Sequence, residues 1–97
     1  MDISKFRSSI AAGVLPTGLE ESLIALWYDA RGDWETAHSH AQDDKSPAGS
    51  WVHGFLHRKE GDLGNAAYWY RRAGKPEASG SLDEEWTQIV MELLPSK

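Results

Sequence analysis

The chain has 97 residues, no cysteine and a net charge of −5 at neutral pH. This length supports one domain with a modest core, and the lack of cysteine excludes disulfide bridges and thiolate metal sites. The acidic balance argues against nucleic-acid binding, whose affinity depends on neutralising phosphates. Because the sequence has neither a secretion signal nor an apolar stretch of membrane-spanning length, it predicts a cytoplasmic protein without a membrane partner.

The first two predicted helices flank a Gly-Val-Leu-Pro break at residues 13–16. The first covers residues 4–12, and Asp2 stands where it can cap the free amides of that helix. Thr17 and Glu20 are three positions apart, which is the spacing of a capping box. The second helix is therefore expected to follow directly from this box.

Glycine-aspartate pairs mark the next two helix starts. Asp33 and Asp62 each follow a glycine and can cap helices three and five, while the glycine ends the helix before. Helix four is predicted over residues 47–60, since it begins with a proline, a residue suited to the first helical turn. Helix five is predicted over residues 62–73.

A second capping box, Ser81 with Glu84, opens the last predicted helix. No segment shows the alternation of a strand, so the sequence predicts an all-α fold of about six helices. The apolar side of the last helix carries Leu82, Trp86, Ile89, Val90, Leu93 and Leu94.

A helix-turn-helix pattern occurs twice, at an offset of 29 positions from Gly32 to Gly61. Ala37 and Ala66 occupy equivalent places in the two copies. Since neither hairpin can bury its apolar face alone, the two are expected to stack, with the terminal helices closing the ends. We predict a single domain over residues 1–97, with repeat 1 at about 18–45, repeat 2 at about 46–74 and a closing helix at about 81–94.

These residues resemble a known repeat family. The positions that carry the resemblance are Gly54, the turn at residues 60–63, Asn65, Ala66, Tyr70 and Ala73, and more weakly Ala25, Tyr28, Gly32, Asp33 and Ala37. Their pattern is similar to tetratricopeptide and Sel1-like repeats, and the whole run is similar to short bacterial proteins of unassigned function. The resemblance implies an α-α superhelix that scaffolds protein contacts and often grips a peptide in a concave groove lined by the first helix of each repeat.

Helix four departs from the family pattern. It has Ser50, His53 and His57 on the side where the family buries apolar residues. Trp51 and Phe55 fall instead where the family's groove would lie, so something is expected to cover or occupy that surface. The offset is also shorter than the usual repeat of about 34 residues.

The predicted groove centres on Trp51, Phe55 and Arg58, which share one face of helix four at i, i+4 and i+7. An apolar patch with a cationic rim suits a short peptide that carries a bulky apolar residue beside an acidic group or a free carboxylate. Tryptophan and arginine are the side chains that most often dominate such contacts. The predicted peptide-binding residues are Trp51, Phe55, Arg58, Lys59, Leu26 and Asp29.

His53 and His57 offer an alternative function, a metal-binding or small-molecule site, because imidazoles one helical turn apart can chelate a metal. A third ligand would come from helix three, where the candidates are His38, His40, Asp43 and Asp44. Hydrogen-bonded structural histidines are the commoner arrangement, so we predict no metal and no cofactor here.

The sequence predicts a protein that is not an enzyme and has no catalytic residue. It has no cysteine, no Gly-x-Ser-x-Gly elbow and no phosphate-binding loop. The expected partner is a protein or peptide of acidic character. A third interpretation is a homodimer in which the apolar stripe of helix four is the self-interface.

Overall fold

A computed structural model describes residues 1–95 of the chain. Over this range the protein is all-α, which confirms the predicted fold class. The predicted bounds of helices four and five each differ from the structure by one residue at one end. The helices are α1 (Ile3–Ala12), α2 (Glu21–Ala30), α3 (Trp34–Asp43), α4 (Pro47–Lys59), α5 (Leu63–Ala73) and α6 (Leu82–Leu93).

Side-chain caps begin five of these helices, and the caps predicted at Asp2, Asp33, Asp62 and Ser81 are confirmed. Asp33 accepts from the Thr36 amide at 3.1 Å and so begins α3. Ser81 and Glu84 form the complete capping box of α6, with bonds of 3.0 and 2.9 Å. The remaining three caps are Asp2, Ser46 and Asp62.

The capping box predicted at Thr17 and Glu20 is wrong. Gly18 has a φ of 79°, so the chain turns between these two residues instead of entering a helix. Glu20 is extended and makes no side-chain cap bond, and α2 begins only at Glu21.

The core is organised around α4. Helices α2 and α3 form one hairpin and α4 and α5 another, α3 packs against α4, and α6 packs against both α2 and α4. Every residue from 49 to 57 is buried, because α4 has neighbours on all sides. At Gly54 a Cβ atom would lie 3.2 Å from the Tyr70 ring, so glycine there permits the close approach of α5.

α1 joins this core through its inward face. Phe6 is fully buried, with its ring centroid 5.9 Å from that of Trp86 on α6. The Trp27 indole N–H donates to the Ser9 hydroxyl at 3.1 Å, which ties α1 to α2. Within residues 1–95, none of these helices is both long and apolar enough to span a membrane.

Helical spacing in the sequence predicts Leu63, Ala66 and Tyr70 on the apolar face of α5, and the structure differs at Leu63. Ala66 and Tyr70 are buried as expected, each 2% exposed, but Leu63 is 64% exposed. It is the first residue of α5, and the large exposure means that no neighbouring helix covers that first turn. Burial on this face therefore begins one turn later.

Two helical glycines should respond in opposite directions to alanine. In Gly49→Ala the new Cβ would lie 2.2 Å from the backbone oxygen of Asp44, and this clash should cost about 1–3 kcal/mol. In Gly64→Ala the Cβ would meet nothing within 4 Å, so the helix should gain about 0.5–1 kcal/mol. Urea unfolding measures both, and equal stability of the two variants would contradict the packing at Asp44.

Candidate functional site

The residues of the predicted groove lie together, but α6 covers most of them. Leu26, Trp51 and Phe55 are at most 5% exposed. The Trp86 indole N–H donates to the Leu26 carbonyl oxygen at 3.1 Å, which fixes α6 over this surface. The patch is therefore buried in the interior and is not the open groove that we expected, because the apolar side of α6 packs against the same surface.

The two cations expected on the groove rim are engaged within the chain. Arg58 Nη1 donates to Glu85 Oε1 at 2.8 Å, and Glu85 is only 5% exposed. Lys59 Nζ donates to Asp29 Oδ1 at 2.9 Å. Burial raises the pKa of Asp29, and the hydrogen bond and charge of Lys59 oppose that rise.

The acidic group and bulky side chain expected of a ligand are therefore supplied by α6 itself. Glu85 reaches Arg58, and the adjacent Trp86 binds the backbone of α2. In the free monomer, the apolar patch and the Arg58 guanidinium are thus contacted by the closing helix α6.

Beside α6 the surface stays open. A cleft of about 510 Å³ lies between α1, α2, α4 and α6, and we name it the α6 cleft. It contains three residues of the predicted groove, Asp29, Phe55 and Lys59. Its lining consists of Arg7, Ile10, Asp29, Ala30, Phe55, Lys59, Leu82, Asp83, Trp86 and Thr87.

Arg7 is the cation of the α6 cleft that has no carboxylate partner among the described residues 1–95. Its Nη2 donates to Thr87 Oγ1 at 2.8 Å, and its guanidinium carbon lies 5.8 Å from the Trp86 ring centroid. None of the ion pairs formed by residues 1–95 involves Arg7. No sequence pattern indicates this role, since Arg7 lies on the exposed face of α1, 80 positions from Thr87.

Trp51 borders a different opening. Lys75 Nζ lies 4.1 Å from the Trp51 ring centroid and also donates to Glu92 at 3.1 Å. Residues of the loop before α6 complete this second cleft, of about 430 Å³. With the ring covered by an ammonium group and only 5% exposed, Trp51 is not available as a binding anchor in this conformation.

The two histidines of α4 meet a third one from α3. His53 and His57 are buried, and His38 Nε2 lies 2.9 Å from His53 Nε2. Of the four candidate third ligands, His38 is the one that joins them within the described chain. His40 instead contacts Glu21, with Nδ1 2.7 Å from Oε2, and Asp44 accepts from the Ser46 amide at 2.9 Å.

Comparisons of this chain with protein-family models, curated proteins and solved structures find no match. The resemblance to tetratricopeptide and Sel1-like repeats therefore stays a prediction, as does the superhelix that it implies. Function has to be inferred from the α6 cleft and the side chains around it.

Proposed function

We propose that this protein is a cytoplasmic, non-enzymatic peptide-binding domain and that the α6 cleft receives the peptide. The observation that supports this proposal is the composition of the α6 cleft. The cleft combines an apolar lining with a cation that has no carboxylate partner among residues 1–95. Ile10, Leu82 and Trp86 supply the apolar surface, and Arg7 supplies the charge. A bulky apolar side chain beside an acidic residue or a free carboxylate matches both features.

The size of the cleft sets the scale of binding. A volume of about 510 Å³ lies within the range of ligand sites but has room for only one or two side chains. Lys59 already shares its charge with Asp29, and Asp83 also lines the opening. We therefore expect micromolar affinity at best, a binding free energy of about −7 to −8 kcal/mol.

The test is an NMR titration with two matched peptides that are acetylated at the N-terminus and amidated at the C-terminus, a Leu-Trp-Asp sequence and its Leu-Trp-Asn counterpart. The Asp peptide should bind more tightly and move the resonances of Ile10, Thr87 and the Trp86 indole. Arg7→Glu should weaken binding of the Asp peptide about tenfold, or 1.4 kcal/mol, and leave the Asn peptide nearly unchanged. Added salt should reproduce part of that loss.

The control is Arg71→Glu, which makes the same change in net charge. Arg71 is an exposed residue of α5 outside the cleft. It should alter binding less than about twofold, since a charge beyond the Debye length is screened. Absence of shifts at the cleft with millimolar peptide would refute the proposal. So would equal losses in the two charge-reversal variants.

A further inference from the structure

Three imidazoles meet between α3 and α4, on residues away from the α6 cleft. His53 and His57 lie one turn apart on α4 with ring centroids 4.8 Å apart, and His38 approaches from α3. One ring nitrogen from each lies within 4.8 Å of the other two. Tetrahedral zinc with bonds of 2.0–2.1 Å needs nitrogens roughly 3.3 Å apart, so small side-chain rotations would bring the three to coordination distance.

The contact between His38 and His53 means that a proton must move before both rings can bind an ion. Their Nε2 atoms are 2.9 Å apart, so one Nε2–H donates to the other nitrogen. Coordination needs a lone pair on both atoms. The shared proton would move to Nδ1 of the donor ring, and the two rings would stay neutral.

Glu60 orients the third ligand. The His57 Nδ1–H donates to Glu60 Oε1 at 2.6 Å, which leaves the lone pair on Nε2. A carboxylate on the outer nitrogen of a ligating histidine is the usual support for zinc, and its loss costs 10–100-fold in affinity. The Asn65 amide nitrogen, 3.4 Å from His57 Nε2, would give way to the ion.

Two tryptophans hold the rings in place. The Trp34 ring stacks on His38 at a centroid distance of 4.8 Å, and its indole N–H donates to the Leu56 carbonyl oxygen at 3.0 Å. The Trp69 ring stacks on His53 at 3.9 Å with an interplanar angle of 14°. These stacked indole rings limit the motion of the imidazoles, so the side chains lose little conformational entropy when an ion binds.

We propose that His38, His53 and His57 bind one Zn²⁺ per chain, with Glu60 as the positioning carboxylate. Imidazole nitrogens suit zinc better than magnesium or calcium, which prefer oxygen ligands. A three-histidine set leaves the fourth position of the ion for water or an added ligand. This site shares no lining residue with the α6 cleft, so either proposal can fail without the other.

The experiment is a titration of metal-free, untagged full-length protein with Zn²⁺, repeated with Co²⁺ as a spectroscopic probe. We expect one ion per chain, a higher melting temperature with zinc, and the intense visible absorption of tetrahedral Co²⁺. His38→Gln and His57→Gln should each weaken binding by more than about 100-fold, and Glu60→Gln by about 10- to 100-fold with the stoichiometry kept. His40→Gln is the control and should leave the affinity unchanged.

Three results would overturn the zinc site. One is the lack of stoichiometric binding at about 100 μM zinc, a level that reveals any site of micromolar affinity. Another is binding that survives both His38→Gln and His57→Gln. The third is weak, octahedral-type Co²⁺ absorption in the parent protein, which decides the matter even if a histidine variant does not fold.

Discussion

A variant that ends at Gly80 is expected to lose cooperative unfolding and most of its helical circular dichroism. It lacks α6, whose Ile89 and Val90 are fully buried in the core. Each such side chain contributes about 1.5–3 kcal/mol, and removal of α6 also uncovers Leu26 and Phe55. The summed loss is comparable with the whole stability of a small domain, about 5–15 kcal/mol.

Point variants of α6 provide the graded control. Ile89→Ala should cost about 2–5 kcal/mol because it leaves a cavity in the core. Met91→Ala, at a position that is 62% exposed, should change stability by no more than about 0.5 kcal/mol. Thermal and urea unfolding measure both. If the variant ending at Gly80 melts like the full chain, α6 does not close the core.

The helix starts could be predicted because their signals are local. Asp33, Asp62 and Ser81 each cap an amide only three residues away, and the side chain and amide that form each bond are both visible in the sequence. The two failures have different causes. Thr17 has the spacing of a cap, but the positive φ of Gly18 interrupts the helix, and the exposure of Leu63 depends on which neighbours reach the first turn of α5.

The place of α6 could not be predicted from local pattern. Its ion pair between Arg58 and Glu85 joins positions 27 apart, and the Trp86–Leu26 bond joins positions 60 apart. Amphipathicity shows that α6 needs an apolar surface but does not say which one. The groove prediction put apolar and cationic side chains on one surface of α4, but it could not show that α6 of the same chain covers that surface.

The histidine cluster was predictable in part for a related reason. The i, i+4 spacing put His53 and His57 on one face, while four residues of α3 remained as a third ligand. The choice among them depends on how α3 is rotated against α4. Since Ala37 and Ala41 face the core, His38 is directed to α4 and His40 to Glu21.

Arg58→Met should destabilise the domain by about 3–5 kcal/mol, because it leaves the Glu85 carboxylate buried without its cation. Arg58 also donates to the Gly80 carbonyl oxygen, so the substitution loosens the loop before α6. Tyr70 would remain the only hydrogen-bond donor to Glu85 in the described chain, with its hydroxyl 2.6 Å from Oε2. Burial and this bond raise the pKa of Tyr70 far above its ordinary value, so the hydroxyl keeps its proton.

A matched comparison on α6 separates buried charge from exposed charge. Glu92→Gln breaks the exposed ion pair between Glu92 and Lys75, whose side chains are 52% and 33% exposed respectively. This substitution should cost no more than about 1 kcal/mol.

The double variant Arg58→Met, Glu85→Leu should recover much of the stability lost in Arg58→Met, since two apolar groups leave no unpaired charge. Equal destabilisation by Arg58→Met and Glu92→Gln in urea unfolding would mean that the Arg58–Glu85 pair does not hold α6 in place.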